Sequence, residues 1–546
     1  MGTTLTRGGH MGVFSETLAA LDQGNQPGRW AFIPYDQLSA QTGVLRDSQP
    51  ADLGLIFCET RWKPSQRPYH KQKLALLLSN QRQFALEMAR AGYAVRYLDD
   101  DRPYANILED CADKCGVIDV MEPAEFELRQ QLRPLVERGL IRPLPNDYWY
   151  TTVDDFRRSQ GKHRKWRMDR FYRYIRKKYD VLVDDKGKPE GGKWSHDADN
   201  RQPWNGQPKA PIRLRFEPCA IVNEVCEMVA TRFADHPGEL KPDVIPSTAE
   251  HAQRLWEWNL AHCLSLFGPY EDAMSRHEIY LFHTGISSLL NLGRLHPRHL
   301  IEDVAALDIP LNSKEGFIRQ VIGWREFVRH VHRETDGFRQ LDDEFKEAAS
   351  VENKPSFLGA HNRLPPLFWG DQSGLGCLDH VISEVWEHGY THHINRLMVL
   401  ANWATLLDVS PRELSDWFWV AFVDAYDWVV EPNVIGMGTF GVGELMTTKP
   451  YVSGSAYINK MSDYCGDCQF QPGKTCPMTS LYWAFLDRHR DRLSGNPRLS
   501  LVLGSSRKRA AEKKQEDARV ARLVIDTLQR GERLSVERMH EIEMAS

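Results

Sequence analysis

ADLGLIFCET at 51–60, KLALLLSNQRQFALEMARAG at 73–92 and YAVRYLDD at 93–100 decide how the first part of this chain folds. The first is a short apolar run suited to a buried parallel strand. The second has apolar residues at helical spacing and stops at Gly92, a natural helix C-cap. The third returns to strand character. Strand, helix and strand in that order predict a doubly wound parallel α/β sheet. Ligands of such sheets sit beyond the carboxyl ends of the strands. WAFIPYDQLS, from residue 30, opens as another strand running into a polar turn, so Asp36 and Glu59 stand at the ligand end of the first two strands.

Further along, the pattern changes. Residues 157–178 hold eleven Arg or Lys residues and one acid, Asp169, with Trp166, Phe171, Tyr172 and Tyr174 interleaved. This is either a solvated linker helix or a surface that tracks phosphates, because clustered cations displace counterions from a nucleic-acid backbone. DDKGKPEGGKWSHDADNRQP, at 184–203, reads as a long loop. From about 236 to 500 the pattern is helical and dense in tryptophan. The expected division is a polar N-terminal extension (1–28), an α/β domain (29–150), a basic connection (151–235), a helical domain (236–505) and a charged C-terminal helix (506–546).

A chain of 546 residues exceeds one hydrophobic core, which also argues for several domains. Its net charge of −5 gives no global sign of a nucleic-acid binder, but binding needs only a local basic face. No stretch approaches the roughly 20 apolar residues of a membrane span, and the N-terminus lacks the pattern of a secretory signal. Ten cysteines in a chain this long do not make a disulfide scaffold. Cys58, Cys111, Cys115, Cys219, Cys226 and Cys263 are scattered among apolar neighbours and read as small buried hydrophobes. A cytoplasmic location, no membrane partner and a monomer are the expectations.

The other four cysteines differ. CGDCQFQPGKTCP sets Cys465, Cys468 and Cys476 in CxxCx7C spacing. Two thiolates three residues apart chelate one centre, and a third adds a ligand from the same loop. A closed site needs a fourth, from Cys377 or a local histidine. Spacing alone leaves zinc, an iron–sulfur cluster and no metal all open.

FGPYEDAM (267–274), LFHTGISSLLNLGRLHP (281–297), EGFIRQVIGWREFVR (315–329) and WEHGYTHHINRLMVLANWATLLDVSPRELSDWFWVAFVDAYDWVVEPN (386–433) together resemble the cryptochrome/photolyase family. With THH, CGDC and an upstream cysteine, the chain looks like the bacterial iron–sulfur (6-4) photolyases and related cryptochromes. The resemblance runs from about residue 29 to 500. It implies an α/β N-terminal antenna domain and an all-α C-terminal domain holding FAD in a U shape. It also implies a 4Fe–4S cluster with Cys377 as the fourth ligand, a 6,7-dimethyl-8-ribityllumazine antenna and damaged DNA as partner.

Residue by residue, His283, Thr284, Ser287 and Ser288 lie where the family cradles the FAD pyrophosphate, although they also suit an N-cap cluster opening a helix. Arg325 resembles the flavin-side arginine, with Glu326 as a salt-bridge partner and Gln320 about one turn earlier on the same face. Asp424 and Asp427 match the acid near the isoalloxazine ring, and Asn433 matches the polar neighbour of flavin N5, where an amide can donate or accept. His392 and His393 match the paired histidines; imidazole suits proton delivery to a (6-4) lesion. Tyr451 resembles a substrate-side tyrosine for a flipped base. Trp417 and Trp369 occupy electron-relay positions. Phe418 breaks the usual route, leaving Tyr426 or Trp419 as substitutes. Asp36 and Glu59 would meet the antenna. If 377–392 is one helix, Cys377 lies roughly 22 Å from His392.

Three functions compete: a (6-4) repair enzyme, a blue-light photoreceptor on the same scaffold, and a non-photochemical metal-containing nucleic-acid-binding protein. Retention of both histidines favours repair.

Overall fold

The computed structural model describes residues 12–341 and 355–539. Strands β1 (Arg29–Phe32), β2 (Leu53–Thr60), β3 (Ala94–Asp100), β4 (Ile118–Met121) and β5 (Ile141–Leu144) form one sheet. Its order is β3-β2-β1-β4-β5, and every neighbouring pair is parallel. Alternate residues of the central strands serve different cores, as a two-residue period requires. Ala31, Leu53, Leu55 and Phe57 pack with Phe84 and Ala85 of the helix Lys71–Arg90. Trp30, Phe32, Ile56 and Cys58 turn to the other face, in a cluster with Ile107, Leu108 and Leu132. Both faces are therefore covered, which explains why β2 is buried along its whole length. Gly54 is needed because Trp30 lies over it: a Cβ there would come within 2.5 Å of the indole. The helix before β3 ends as read, with Gly92 at φ +93°.

The N-terminal extension is more than a polar tail. Val13–Leu21 is a helix that buries Phe14 and Leu18 on the sheet side; Phe14 meets Tyr97 edge-on at 4.6 Å, and its N–H donates to Glu224 at 3.0 Å. Two buried apolar residues suffice to dock a helix whose other face is polar.

The basic segment forms helices Val153–Gln160 and Met168–Lys178. The second buries Phe171, Tyr172 and Ile175. Many of its cations are already paired, including Arg157 with Glu334, Arg158 with Asp154, Lys165 with Glu444 and Lys178 with Asp155. Residues 184–203 hold only two three-residue turns. Beyond Ala220 the described residues are helical, and one continuous apolar cluster joins them to the sheet. No helix among the described residues is long and apolar enough to cross a membrane.

The helix carrying Cys377 spans Gly376–His388 and stops at Gly389, φ +63°. It does not reach His392, so a straight-helix separation of the two does not apply. The last long helix, Ala511–Gln529, buries Val520, Val524 and Leu528. The segment after it returns to the cysteine loop: Leu534 N–H donates to Ser373, and Gln469 Nε2 donates to the carbonyls of Gly374 and Leu534.

Candidate active site

Three helical segments of the second half are widened to π geometry: Arg319–Arg325, Asn395–Ala401 and Glu431–Gly438. Such bulges cost hydrogen-bond quality and concentrate at functional sites. Here they carry Arg325, Arg396 and Asn433. Asp424 accepts both guanidinium nitrogens of Arg396, at 2.9 and 3.0 Å, and the Ser287 hydroxyl at 2.6 Å. Burial pushes its carboxyl up, but Arg396 and Ser287 hold it below the ordinary value. Asn291 donates to the Asp424 carbonyl at 2.9 Å and accepts from Arg325 Nε at 3.3 Å. Arg325 pairs with Glu326 and lies 4.2 Å from the Trp149 ring. One network thus joins four distant segments.

The structure separates other expected residues from this network. Asp427 accepts the N–H groups of Phe126 and Glu127, at 2.8 and 3.3 Å, and so caps the helix Phe126–Glu137 of the sheet half. Gln320 donates to Glu271 at 2.6 Å and does not join Arg325. Ser287 opens the helix Ser287–Leu292 but provides no N-cap bond; its hydroxyl goes to Asp424. The carbonyls of His283 and Thr284 are held by Arg213. Asn433 Nδ2 donates to Val429 O at 2.8 Å.

His283 instead joins the paired histidines. Its ring stacks on His392 at 4.5 Å and 10°, and meets His393 at 5.3 Å. His283 and His392 are buried; His393 is exposed. Burial, then the neighbouring cationic and imidazole groups, hold His283 and His392 well below the ordinary histidine value. Asn395 organises the floor: its Nδ2 donates to Thr391 at 2.8 Å and faces His392 Nε2 at 3.5 Å, while its Oδ1 accepts from the Tyr464 hydroxyl at 3.1 Å. Tyr451 is mostly buried, with Asp197 and Arg201 among the charges that act on it.

The aromatic relay contains a residue that the sequence reading passed over. Trp417 is buried and meets Trp386 at 6.0 Å; Trp386 stacks on Trp369 at 5.7 Å, and Trp369 is 48% exposed. Trp417 and Trp386 both donate to the Phe368 carbonyl, at 2.9 and 3.0 Å, which pins the two rings. Tyr426 lies elsewhere, stacked on Tyr35 at 6.4 Å at the end of the sheet; its side chain belongs to a different cavity, and Trp419 lines the same one.

That cavity sits past the strand ends and is walled by Tyr35, Tyr69, Tyr104, Trp419 and Tyr426. Lys63 donates to Tyr35 at 2.7 Å and to Glu125 at 2.5 Å. Lys73 reaches the carbonyls of Trp419 and Ala425, both at 2.6 Å. Glu59 lines it too but accepts both Arg82 nitrogens, at 2.9 and 2.8 Å, and Tyr97 at 2.6 Å. Asp36 is buried nearby with Oδ1 unpartnered, and burial, against its backbone bond and Lys63, raises it to about 7.

The four cysteines converge. Cys377 lies close enough to Cys465, Cys468 and Cys476 to feel each of them electrostatically, and a Cβ on Gly376 would touch Cys468 Sγ at 3.3 Å. Burial and the neighbouring thiols push Cys465 up to about 11 and Cys476 up to about 12. A metal centre, which binds thiolate, reverses that direction.

Comparison with known proteins places this arrangement. The family model for deoxyribodipyrimidine photo-lyase-related protein matches residues 31–244. A solved bacterial class III photolyase from Agrobacterium tumefaciens covers 92% of this chain and 98% of its own, with a TM-score of 0.53 and 15% identity. A Synechocystis cryptochrome covers 89% and 99%, with a TM-score of 0.53 and 12% identity. These two likenesses show a shared fold. A (6-4) photolyase of Agrobacterium fabrum is 33% identical over 486 residues, which is 85% of this chain and 92% of that relative. On an identity of that size sustained across nearly the whole of the relative, this chain belongs to the (6-4) photolyase family.

Proposed function

We propose that the protein repairs (6-4) pyrimidine–pyrimidone photoproducts in DNA, driven by light, with FAD as the working cofactor. The observation that carries this reading is the exposed His393 set over two buried imidazoles, His392 and His283, beside the Arg396–Asp424 pair. The donor set suits a flavin: the guanidiniums of Arg325 and Arg396 and the amide of Asn433 lie on the widened turns, and Ser287 and Asn291 bond into the same network, with the Thr284 and Ser288 hydroxyls beside Ser287 in sequence. When bound, reduced FAD supplies on illumination the electron that opens the cross-link. Arg325, Asp424 and Asn433 would hold the flavin ring, and the Thr284, Ser287 and Ser288 hydroxyls would hold its pyrophosphate.

His393 is the imidazole that an extruded base can reach. It gives a proton to the lesion and takes it back as the bases separate, so repair leaves the protein unchanged. His392, buried and held by Asn395, fixes the orientation of that pair. Tyr451 contacts the flipped base. Trp369, Trp386 and Trp417 carry electrons inward to reduce the flavin.

The four convergent cysteines would hold a 4Fe–4S cluster, for which four thiolates are the usual ligand set. The aromatic cavity suits a flat pigment such as 6,7-dimethyl-8-ribityllumazine, with residues 29–150 as its domain and 236–505 as the flavin domain. DNA would meet the exposed Lys162, Arg173 and Lys177. The protein acts as a monomer.

Illumination of reduced protein with (6-4)- and cyclobutane-containing oligonucleotides tests the reading. Conversion of the (6-4) lesion to intact bases is expected. Loss of neither lesion returns the chain to the photoreceptor reading.

A further inference from the structure

Proton delivery needs one or two imidazoles, but the pocket holds three. We propose that His283, His392 and His393 bind one divalent transition-metal cation of the zinc, nickel and copper class when DNA is absent. A ring nitrogen from each lies within 4.8 Å of one from each of the others. His283 Nε2 and His392 Nδ1 are buried without a hydrogen-bond partner; the Asn395 amide that faces His392 Nε2 puts the hydrogen of that ring on Nδ1, so ligation through Nδ1 displaces it. Each such group costs about 1–3 kcal/mol unless something engages it, and the stacked rings at 4.5 Å do not engage each other.

The tautomer of His283 fits a ligand. The Glu271 backbone acts on the ring as an acceptor, and a carbonyl can only accept, so the nitrogen on that side carries the hydrogen. The lone pair is left on the orphaned Nε2. An imidazole that donates its far N–H to a carbonyl is the usual second-shell arrangement of a metal-ligating histidine. His393 leaves the third side open to solvent. Three protein ligands and one open position make a site that an external molecule can complete. Asp272, whose charge acts on His393, supplies negative charge at the mouth. An all-imidazole set disfavours magnesium and calcium, which want oxygen. Metal–nitrogen bonds of 2.0–2.1 Å place the nitrogens about 3.3 Å apart in a tetrahedron. Because the His283 and His392 rings stand nearly parallel, binding also requires one of them to turn so that both in-plane lone pairs point at the ion.

The metal and the lesion would compete for His393, so occupancy blocks repair. The binding claim stands apart from the repair reading; only that consequence rests on it. Equilibrium dialysis of untagged holoprotein against nickel(II), in the dark and without DNA, reads the first. One equivalent of nickel per chain, with iron content unchanged, is expected. His393→Asn, at an exposed position that folding does not need, should weaken it by at least about tenfold, and His283→Asn likewise. Absence of stoichiometric uptake, uptake that survives the double variant, or uptake matched by iron loss overturns the proposal. Nickel inhibition of repair, reversed by a chelator, then tests the consequence. If nickel binds without inhibiting, the site stands and the placement of the lesion at His393 falls.

Discussion

In the cavity past the strand ends, the charged groups are matched: Glu59 takes three bonds, and Lys63 and Lys73 each reach two oxygens, with the Tyr69 hydroxyl and Asp36 Oδ1 left over. In the histidine pocket the unpartnered atoms are ring nitrogens of the stacked imidazoles themselves. A cavity with matched charges and aromatic walls offers a guest mainly shape and stacking. A pocket with orphaned donors and acceptors stores a cost that a polar guest removes. The first suits a flat guest held by shape and stacking, the second a guest that exchanges protons or ligands with the rings.

Removing the reactive group of the second pocket should produce the largest effect. His393→Ala is expected to lower the repair rate by at least about 100-fold with flavin content unchanged, the low end of what general acid–base groups contribute. Repair within a few-fold of the parent would dissolve the contrast between the two sites. Breaking the matched set comes next. Glu59→Gln leaves Arg82 buried beside only Glu224. It should cost roughly 3 kcal/mol, read as a lowered denaturation midpoint with repair by the intact fraction preserved.

Trp386→Phe should slow photoreduction several-fold, because phenylalanine relays electrons poorly. The same variant, reduced chemically, should repair at the parental rate; a matching loss there would mean that Trp386 supports the fold instead. The smallest effect belongs to Asp36, the unmatched acid of the first cavity. Its folded value of about 7 lies above the ordinary one, so the folded state holds the proton more tightly. The stability this gives is complete at low pH and fades as pH rises from about 4 to 7. Asp36→Asn should therefore gain stability over the parent as pH climbs from about 4 to 7. A difference between the two that is flat from pH 5 to 8 would show Asp36 to be matched after all.

Three of the five strands, their parallel pairing and the helix cap at Gly92 were legible because local apolar runs and one glycine encode them. The CxxCx7C loop was legible for the same reason. His283 was not. Beside Thr284 and Ser287 it reads as a phosphate cradle, and only the packing of 281–286 against 390–393 turns it to His392. Asp427 is a similar case, since its partner is a helix N-terminus 301 residues away. Trp386 and Arg396 lie inside the stretch that carries the family likeness, yet their roles depend on Phe368 and Asp424. Spacing along the chain does not report such contacts. The docked helix Val13–Leu21 was hidden by having only two apolar anchors.

One link has a mechanical outcome. Tyr464, bonded to Asn395, is the residue immediately before Cys465. A shift of the loop that carries Cys465, Cys468 and Cys476 would therefore be passed to that tyrosine, and through the Asn395 amide to the ring of His392.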